Sequence, residues 1–255
     1  MRVVVTGAAG NIGRTVSAGL RERDHDVVAL DQVPADGVER IDVSDTLAVA
    51  PLIEGADAVV HLAGYPEEGS LQTALHTHVN TTYSVLDAMR RTGVPRIVYA
   101  TSAHAVGFTP STGVLSVDAR PRPDTFYGVG KVAAEALCSL YVDRFGLAAA
   151  CLRIGAFLDR PLNRQHLAIW LSPGDATRVV EACLTAPGLG FAVVHGISAN
   201  TRRWWDLEPG RALGYHPQDD AETYAADIES HPESEQDRFE ARFVGGPFCA
   251  PYGYT

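Results

Sequence analysis

The fold of this chain of 255 residues is decided near its N-terminus by the stretch Val3-Val4-Val5-Thr6-Gly7-Ala8-Ala9-Gly10-Asn11-Ile12-Gly13. The β-branched run over residues 2–6 predicts a strand buried on both faces of a parallel sheet, and residues 11–23 predict a helix. The glycines follow the spacing G-x-x-G-x-x-G. The first permits a tight turn, the second lets the backbone approach a pyrophosphate, and the third allows close packing of helix on strand. The stretch therefore predicts a dinucleotide site at a helix N-terminus, the alternative being a purely structural glycine turn.

Strands and helices alternate along most of the remaining chain. The predicted strands are residues 26–30, 38–41, 57–61, 96–101, 147–153 and 191–195. The predicted helices are residues 46–53, 71–92 and 126–145, and a further helix opened by Pro173-Gly174-Asp175, with Asp175 as its N-cap, that ends near Thr185. This order predicts an α/β protein with a Rossmann-type, doubly wound parallel sheet and right-handed crossovers. After Arg153 the pattern becomes irregular, which predicts a small C-terminal region that covers the substrate.

Composition restricts the partners and the compartment. The formal net charge is −10 at pH 7, so no broad basic surface is available for nucleic acid. The four cysteines lack metal-ligand spacing, which predicts buried free thiols in a reducing compartment and no metal site. The first residues enter a strand directly, and no apolar run approaches membrane-spanning length. We therefore expect a cytoplasmic protein, without a signal peptide, that binds a small molecule rather than nucleic acid or a membrane.

An acidic residue ends the second predicted strand. The carboxylate of Asp31 is suited to accept hydrogen bonds from the ribose hydroxyls of the adenosine, and it would repel a 2′-phosphate. We therefore expect NAD as the cofactor in preference to NADP, although Asp31 as a simple turn residue is the alternative. Asp42 and Val43, after the third strand, are candidate adenine contacts. Ala63 and Gly64 follow the fourth strand, where small residues let the backbone pass beside the cofactor; His61, which ends that strand, is expected to be structural.

A second motif lies about one Rossmann domain further along. Tyr127 and Lys131 are four residues apart at the start of a predicted helix, so that the phenol and the ammonium group share one face. A nearby cation is expected to lower the pKa of the phenol and make it a usable acid or base. Lys131 can also hold the nicotinamide ribose, so Tyr127 and Lys131 are predicted to contact the cofactor as well. Ser102 ends the preceding strand and can hold the substrate oxygen. Together with the glycine loop, these three residues predict nicotinamide-dependent hydride transfer with Tyr127 as the proton donor or acceptor; an aromatic that merely packs at the helix start is the alternative.

These motifs together resemble the extended short-chain dehydrogenase/reductase superfamily over nearly the whole chain. The residues that carry the resemblance are Gly7, Gly10, Gly13, Asp31, Asp42, His61-Leu62-Ala63-Gly64, Asn80, Ser102, Tyr127, Lys131 and Arg153-Ile154-Gly155. The resemblance implies a cofactor site that also includes Asn11, Ile12, Leu62, Asn80 and Ile154. The second half is similar to a narrower branch, the uronate dehydrogenases, in its segments 102–107, 170–172, 196–200, 204–206 and 242–246. In that branch NAD oxidises the anomeric hydroxyl of a hexuronic acid.

The expected substrate pocket departs from that branch. The resemblance assigns substrate contacts to Tyr65, Ser102, Ala103, His104, Ala156, Arg164 and Gln165. Where the branch has an amide, two serines and a carboxylate-binding arginine, this chain has Ala103, Pro66, Ala156 and Gln165. Loss of a bidentate arginine is not a conservative change. Either Arg164 or Arg160 replaces it through a small shift of the loop, or the substrate is not a uronate. His104 is expected to bind a substrate oxygen or, equally, to be a structural histidine.

We therefore predict an NAD-dependent oxidoreductase acting on a hydroxyl or carbonyl group of a small sugar-like molecule, with an altered pocket. Residues 1–156 are expected to form the NAD-binding domain, with residues 175–197 adding to it. Residues 157–174 and 198–255 are expected to cover the substrate, and we expect a homo-oligomer. The alternatives are a ketoreductase or dehydrogenase of a nucleoside or another secondary-metabolite intermediate, a nucleotide-sugar epimerase or dehydratase, and a non-catalytic NAD-sensing regulator.

Overall fold

Seven parallel strands form the central sheet, which in spatial order are residues 39–40, 26–31, 2–6, 58–61, 96–102, 148–154 and 191–196. The structure is a computed structural model, and it describes residues 1–250. In chain order the strands are β1 (Arg2–Thr6), β2 (Asp26–Asp31), β3 (Glu39–Arg40), β4 (Ala58–His61), β5 (Arg96–Ser102), β6 (Ala148–Ile154), β7 (Ala156–Phe157), β8 (Trp170–Leu171) and β9 (Phe191–Gly196), of which β7 and β8 pair separately. The direction of winding reverses between β1 and β4, which is where doubly wound sheets bind ligands.

Helices cover both faces of this sheet. In chain order, the helices of the described residues are α1 (Asn11–Arg21), α2 (Thr46–Ile53), α3 (Leu71–Ala74), α4 (Thr81–Thr92), α5 (Phe126–Phe145), α6 (His166–Ile169), α7 (Pro173–Thr185), α8 (Glu208–Ala212), α9 (Ala225–Ile228) and α10 (Glu235–Glu240). One core joins β-strand residues to α1 and α7 through side chains such as Val16, Leu20 and Val179, while the other joins them to α2, α4 and α5 through Leu86, Met89 and others. The Rossmann-type α/β fold expected from the sequence is confirmed.

Two elements differ from the expectation. The predicted helix 71–92 is interrupted by a π-helical segment, Leu75–Asn80, between α3 and α4. The cap of α7 is Ser172, whose Oγ accepts a hydrogen bond from the N–H of Asp175 at 2.9 Å. The buried carboxylate of Asp175 instead accepts the N–H groups of Gln218 and Asp219, at 2.9 and 3.0 Å. A carboxylate that ties a distant segment to the helix is not available as its N-cap.

The C-terminal region consists of short helices that pack beside the carboxyl ends of the strands. Strand β9 and helix α7, within residues 173–196, belong to the main sheet and its covering layer. The predicted substrate-covering region continues over residues 251–255, which lie outside the described residues. Within residues 1–250, no helix is both long enough and apolar enough to cross a membrane.

Candidate active site

A cavity of about 740 Å³ lies at the carboxyl ends of β1, β2, β4 and β5. Most of the residues that the sequence singled out meet there. The predicted site residues that line it are Gly7, Gly10, Asn11, Ile12, Gly13, Asp31, Asp42, Val43, Leu62, Ala63, Gly64, Tyr65, Ser102, His104, Tyr127, Lys131 and Ile154. The cavity is therefore long enough to join the glycine loop at one end to the Tyr127 helix at the other. Within residues 1–250, no cluster of three or more His, Cys, Asp or Glu residues is arranged to hold a metal ion.

In the glycine loop, Gly7 and Gly13 occupy positions where a side chain would collide with neighbouring backbone. A Cβ on Gly7 would lie 2.6 Å from the backbone nitrogen of Ala63, and Gly7 has a φ of +72°. A Cβ on Gly13 would lie 2.1 Å from the carbonyl oxygen of Gly7. Helix α1 has Gly10 as its N-cap, and no side chain caps it. Its first N–H groups therefore remain available to an anion in the cavity, and this cradle fits the pyrophosphate of a dinucleotide.

Two carboxylates lie at the β2 and β3 end of the cavity. Asp31 Oδ2 accepts the N–H of Ala9 at 2.9 Å, and Asp31 Oδ1 accepts the N–H of Val33 at 2.9 Å. A carboxylate oxygen has two acceptor sites, so each still has one for a ribose hydroxyl. Asp42 lies nearby, where hydrogen bonds from the backbone and the hydroxyl of Ser44 lower the pKa of its carboxyl group. These groups fit an unphosphorylated ribose.

Tyr127 and Lys131 face the other end of the cavity from α5. Lys131 Nζ donates to the carbonyl oxygen of Ala100 at 2.7 Å and lies 5.3 Å from the centre of the Tyr127 ring. Burial raises the pKa of Tyr127 to about 12, and interaction with Ser102 opposes this rise. Burial also lowers the pKa of Lys131 to about 7, against the charge of Glu135. The expected lowering of the phenol pKa by Lys131 is not what the structure gives, because desolvation of the phenol dominates and Lys131 is only partly charged near neutral pH.

His104 is held by a buried acid beside Tyr127. Its Nδ1 lies 2.9 Å from Asp124 Oδ2, and the Asp124 side chain is fully buried. The His104 ring meets the Tyr127 ring edge-on, with centroids 5.7 Å apart, and packs against Phe248 at 4.5 Å. Since Nδ1 faces the carboxylate, Nε2 is the nitrogen left for other partners. Both sequence-based interpretations of His104, a cavity residue and a structurally anchored one, fit this geometry.

His78 also lines the cavity, although no sequence motif indicated it. It belongs to the π-helical segment, is 2% exposed, and meets the Tyr127 ring edge-on at 4.9 Å. Burial and the nearby Lys131 lower its pKa to about 3, so it is neutral at working pH. Asn80, predicted as a cofactor residue, is exposed and does not line the cavity. The π-helical turn changes the phase of the helix, so that His78 rather than Asn80 faces inward.

The residues expected to recognise a carboxylate point elsewhere. Arg164 donates to Glu229 Oε1 at 2.8 Å and to the carbonyl oxygen of His231 at 2.7 Å. Gln165 Nε2 donates to the carbonyl oxygen of Val244 at 3.2 Å. Neither lines the cavity, and nor do Ala103 and Ala156, which are buried or half-buried beside it. No arginine is found among the described residues that form the cavity wall.

Comparison with known proteins identifies relatives over nearly the full length of the chain. A family model described as the NAD dependent epimerase/dehydratase family matches residues 3–158. A uronate dehydrogenase from Pseudomonas syringae pv. tomato is 34% identical, covering 99% of this chain and 95% of that protein. An L-arabinose 1-dehydrogenase (NAD(P)(+)) from Haloferax volcanii is 37% identical, covering 87% of this chain and 98% of that protein.

The fold comparison agrees with the sequence comparison. The solved structure of a mutant uronate dehydrogenase from Agrobacterium tumefaciens complexed with NAD is 36% identical to this chain. The two superpose with a TM-score of 0.91, covering 97% of this chain and 96% of that one. The similarity therefore extends across both the central sheet and the C-terminal region.

Proposed function

The chain belongs to the NAD-dependent epimerase/dehydratase family, and we propose that it oxidises a hydroxyl group of a monosaccharide that carries no carboxylate. It is an NAD-dependent oxidoreductase that acts on a sugar CH–OH group. The reaction transfers a hydride from the substrate carbon to the cofactor and a proton from the substrate oxygen to the protein. Reduction of a carbonyl uses the same groups in reverse.

The cofactor end of the cavity fits NAD, which when bound supplies the carbon that accepts the hydride. The N–H groups of Asn11 and Ile12 would hold its pyrophosphate, and Asp31 would hold the adenosine ribose. Asp42 and Val43 would contact the adenine, and Leu62, Ala63, Gly64 and Ile154 would line its path. We propose that residues 1–156 and 175–197 bind NAD, and that residues 157–174 and 198–255 cover the substrate.

The substrate end is suited to proton transfer. Ser102 would hold the hydroxyl oxygen, while Tyr127, as the phenolate left when its own proton passes toward Lys131, accepts the substrate proton as the hydride leaves. Lys131, whose pKa is about 7, is able to exchange a proton near neutral pH and thus to assist Tyr127. His78 and His104 hold the Tyr127 ring from two sides, which keeps the phenol in one orientation. These contacts support an acid/base role for Tyr127.

The absence of arginine from the described cavity wall carries the proposal about the substrate. A carboxylate needs a charge-assisted, preferably bidentate partner when it leaves water. Arg164 is engaged by Glu229 and by a backbone carbonyl, and the side chain of Gln165 is uncharged. The other polar contacts of the uronate branch are replaced by Pro66, Ala103 and Ala156. The pocket therefore favours a neutral sugar.

NADH formation tests this proposal. The purified protein is offered NAD with neutral aldoses, hexuronates and nucleosides, and absorbance at 340 nm is followed. We expect turnover of one or more neutral aldoses and weak or no turnover of hexuronates. If hexuronates are turned over well, Arg164→Ala decides whether Arg164 has moved into the pocket, because it would then raise the KM for the uronate far more than the KM for NAD. Turnover of nucleosides alone would contradict the proposal.

We also propose that the protein is a cytoplasmic homo-oligomer. The four cysteines are free and buried, which supports a reducing compartment. The segment from α3 to α4 and helix α5 expose large apolar side chains, namely Leu71, Leu75, Tyr83, Phe126, Val129 and Leu140. A second copy of the chain would cover this surface. Light scattering tests it: we expect at least a dimer that Leu140→Glu weakens, and a wild-type monomer would contradict it.

A further inference from the structure

The N-terminus of α5, which carries Tyr127, is completed by a residue from a distant loop. Four N–H groups at the start of any helix lack partners within the helix. Here the N-cap is Thr125: its Oγ1 accepts the N–H of Gly128 at 2.9 Å, while its carbonyl oxygen accepts the first hydrogen bond within the helix, from the N–H of Val129 at 3.0 Å. Two more of the unpartnered N–H groups, of Phe126 and Tyr127, donate to Glu68 Oε1 and Oε2 at 3.0 and 3.1 Å.

Glu68 belongs to the loop that follows β4, over the substrate end of the cavity. Residues 64–70 form this loop, and Gly64, Tyr65 and Pro66 line the cavity. In the described structure, the side chains of residues 64–69 take part in two hydrogen bonds with another element, and the Glu68 carboxylate is the acceptor in both. A carboxylate at a helix N-terminus is favoured by the dipole and by charge-assisted hydrogen bonds. Glu68 thus joins the loop over the substrate to the backbone of the acid/base residue.

We propose that Glu68 is a positioning residue that couples closure of the 64–70 loop to the placement of Tyr127. The inference rests on the proposed function, because it assigns Glu68 a part in the same reaction. The Tyr65 side chain on this loop lines the cavity and is 43% exposed, so a substrate in the cavity would lie against the loop. When the loop closes, Glu68 returns to the N–H of Tyr127 and fixes the start of α5. Lids that complete a catalytic arrangement on closing act in this way.

Three variants test the coupling. Glu68→Ala removes both acceptors, and Glu68→Gln keeps one acceptor without the charge. Glu67→Gln changes the neighbouring acid of the same loop, whose Oε2 accepts a hydrogen bond from Tyr65 Oη at 3.3 Å and which does not bond to α5 in the described structure. Amide hydrogen exchange at Phe126 and Tyr127 is measured together with kcat, KM for the sugar and Kd for NADH.

In Glu68→Ala we expect exchange at both amides to rise at least tenfold and kcat to fall by about 10-fold to 100-fold, as for a slightly misplaced catalytic group. The Kd for NADH is expected to stay within about twofold, since Glu68 is not itself among the residues that would hold the dinucleotide. Glu68→Gln should give intermediate values and Glu67→Gln wild-type values. A structural role alone would lower the melting temperature without changing kcat below it.

The outcomes separate this inference from the proposed function. Faster exchange with wild-type kcat would overturn the coupling and leave Glu68 as a structural cap. Unchanged exchange would overturn it whatever the substrate. If the wild type oxidises no sugar, the proposed function fails; faster exchange at Phe126 and Tyr127 together with faster exchange across residues 64–70 in Glu68→Ala then still supports the coupling of loop to helix.

Discussion

Tyr127 is the residue on which the proposed chemistry depends. Tyr127→Phe removes the hydroxyl but keeps the ring that packs against His78 and His104. We expect turnover to fall by about 10²–10⁴-fold, the usual contribution of a positioned acid or base. The Kd for NADH, measured by fluorescence quenching, should barely change. Near-wild-type turnover in this variant would show that another group transfers the proton.

Asp31 is expected to set the choice between NAD and NADP. Removing its carboxylate, as in Asp31→Ala, deletes acceptors for ribose hydroxyls and the charge that repels a 2′-phosphate. Hydrogen bonds to charged groups contribute roughly 1.5–3 kcal/mol. The ratio of kcat/KM for NAD over NADP should therefore fall about tenfold or more. Asp36→Asn, at a nearby exposed acid, is the control, and a wild-type preference for NADP would contradict the assignment.

At the scale of single residues, the sequence predicted those site residues whose type and spacing are typical of a particular chemical role. Gly7, Asp31, Tyr127 and Lys131 all meet in one cavity because strand ends and a helix start bring them there. The pKa of Tyr127 did not follow from the sequence, because the degree of burial decides it. The orientation of Arg164 did not follow either, since its partner Glu229 lies 65 residues away in the chain.

At the scale of elements, α5 packs so closely on the segment after β5 that only glycine fits at position 128 of the helix. A Cβ on Gly128 would lie 2.3 Å from the carbonyl oxygen of His104. Gly128→Ala should destabilise the protein by about 1–3 kcal/mol, as overpacking does. The expected fall in melting temperature is roughly 2–12 °C, measured by calorimetry. Gly190→Ala, with no atom within 4 Å of the new Cβ, should change little; an equal loss in both variants would contradict the steric argument.

The strands and long helices were predictable because their apolar patterns are periodic. Helix α5 begins and ends where the sequence indicated, over Phe126–Phe145. The π-helical segment Leu75–Asn80 was not predictable, because its extra residue per turn leaves no mark in a pattern of period 3.6. In this segment His78 lines the cavity and Asn80, which the family resemblance implied as a cofactor residue, does not.

At the scale of the whole molecule, buried neutral histidines tie stability to pH. His61, His78 and His195 are each at most 2% exposed, and burial lowers their pKa values to about 3, 3 and 4. In the unfolded chain each takes up a proton as the pH falls below about 6.5, whereas the folded protein does not. Their contribution to stability is therefore complete above pH 6.5 and is lost between about pH 6.5 and 3.

For each proton taken up on unfolding, the free energy of unfolding decreases by about 1.4 kcal/mol per unit fall in pH. Urea unfolding should give a markedly smaller free energy of unfolding at pH 5.5 than at pH 7.5. His195→Gln should make this difference smaller, because the variant lacks the proton that His195 takes up on unfolding. A free energy of unfolding that stays constant from pH 7.5 to 5.5 would contradict the burial of these histidines in neutral form.

The central claim is that this NAD-dependent dehydrogenase recognises a sugar without a carboxylate. Galactose and galacturonate test it most directly, since they differ only at C6, as do glucose and glucuronate. Steady-state NADH formation gives kcat/KM for each member of both pairs. We expect the neutral sugar to exceed its uronate in at least one pair, because no arginine lines the described cavity wall. A uronate that exceeds its neutral sugar in both pairs would contradict the account, most clearly with a kcat/KM on galacturonate of about 10⁴ M⁻¹s⁻¹ or more.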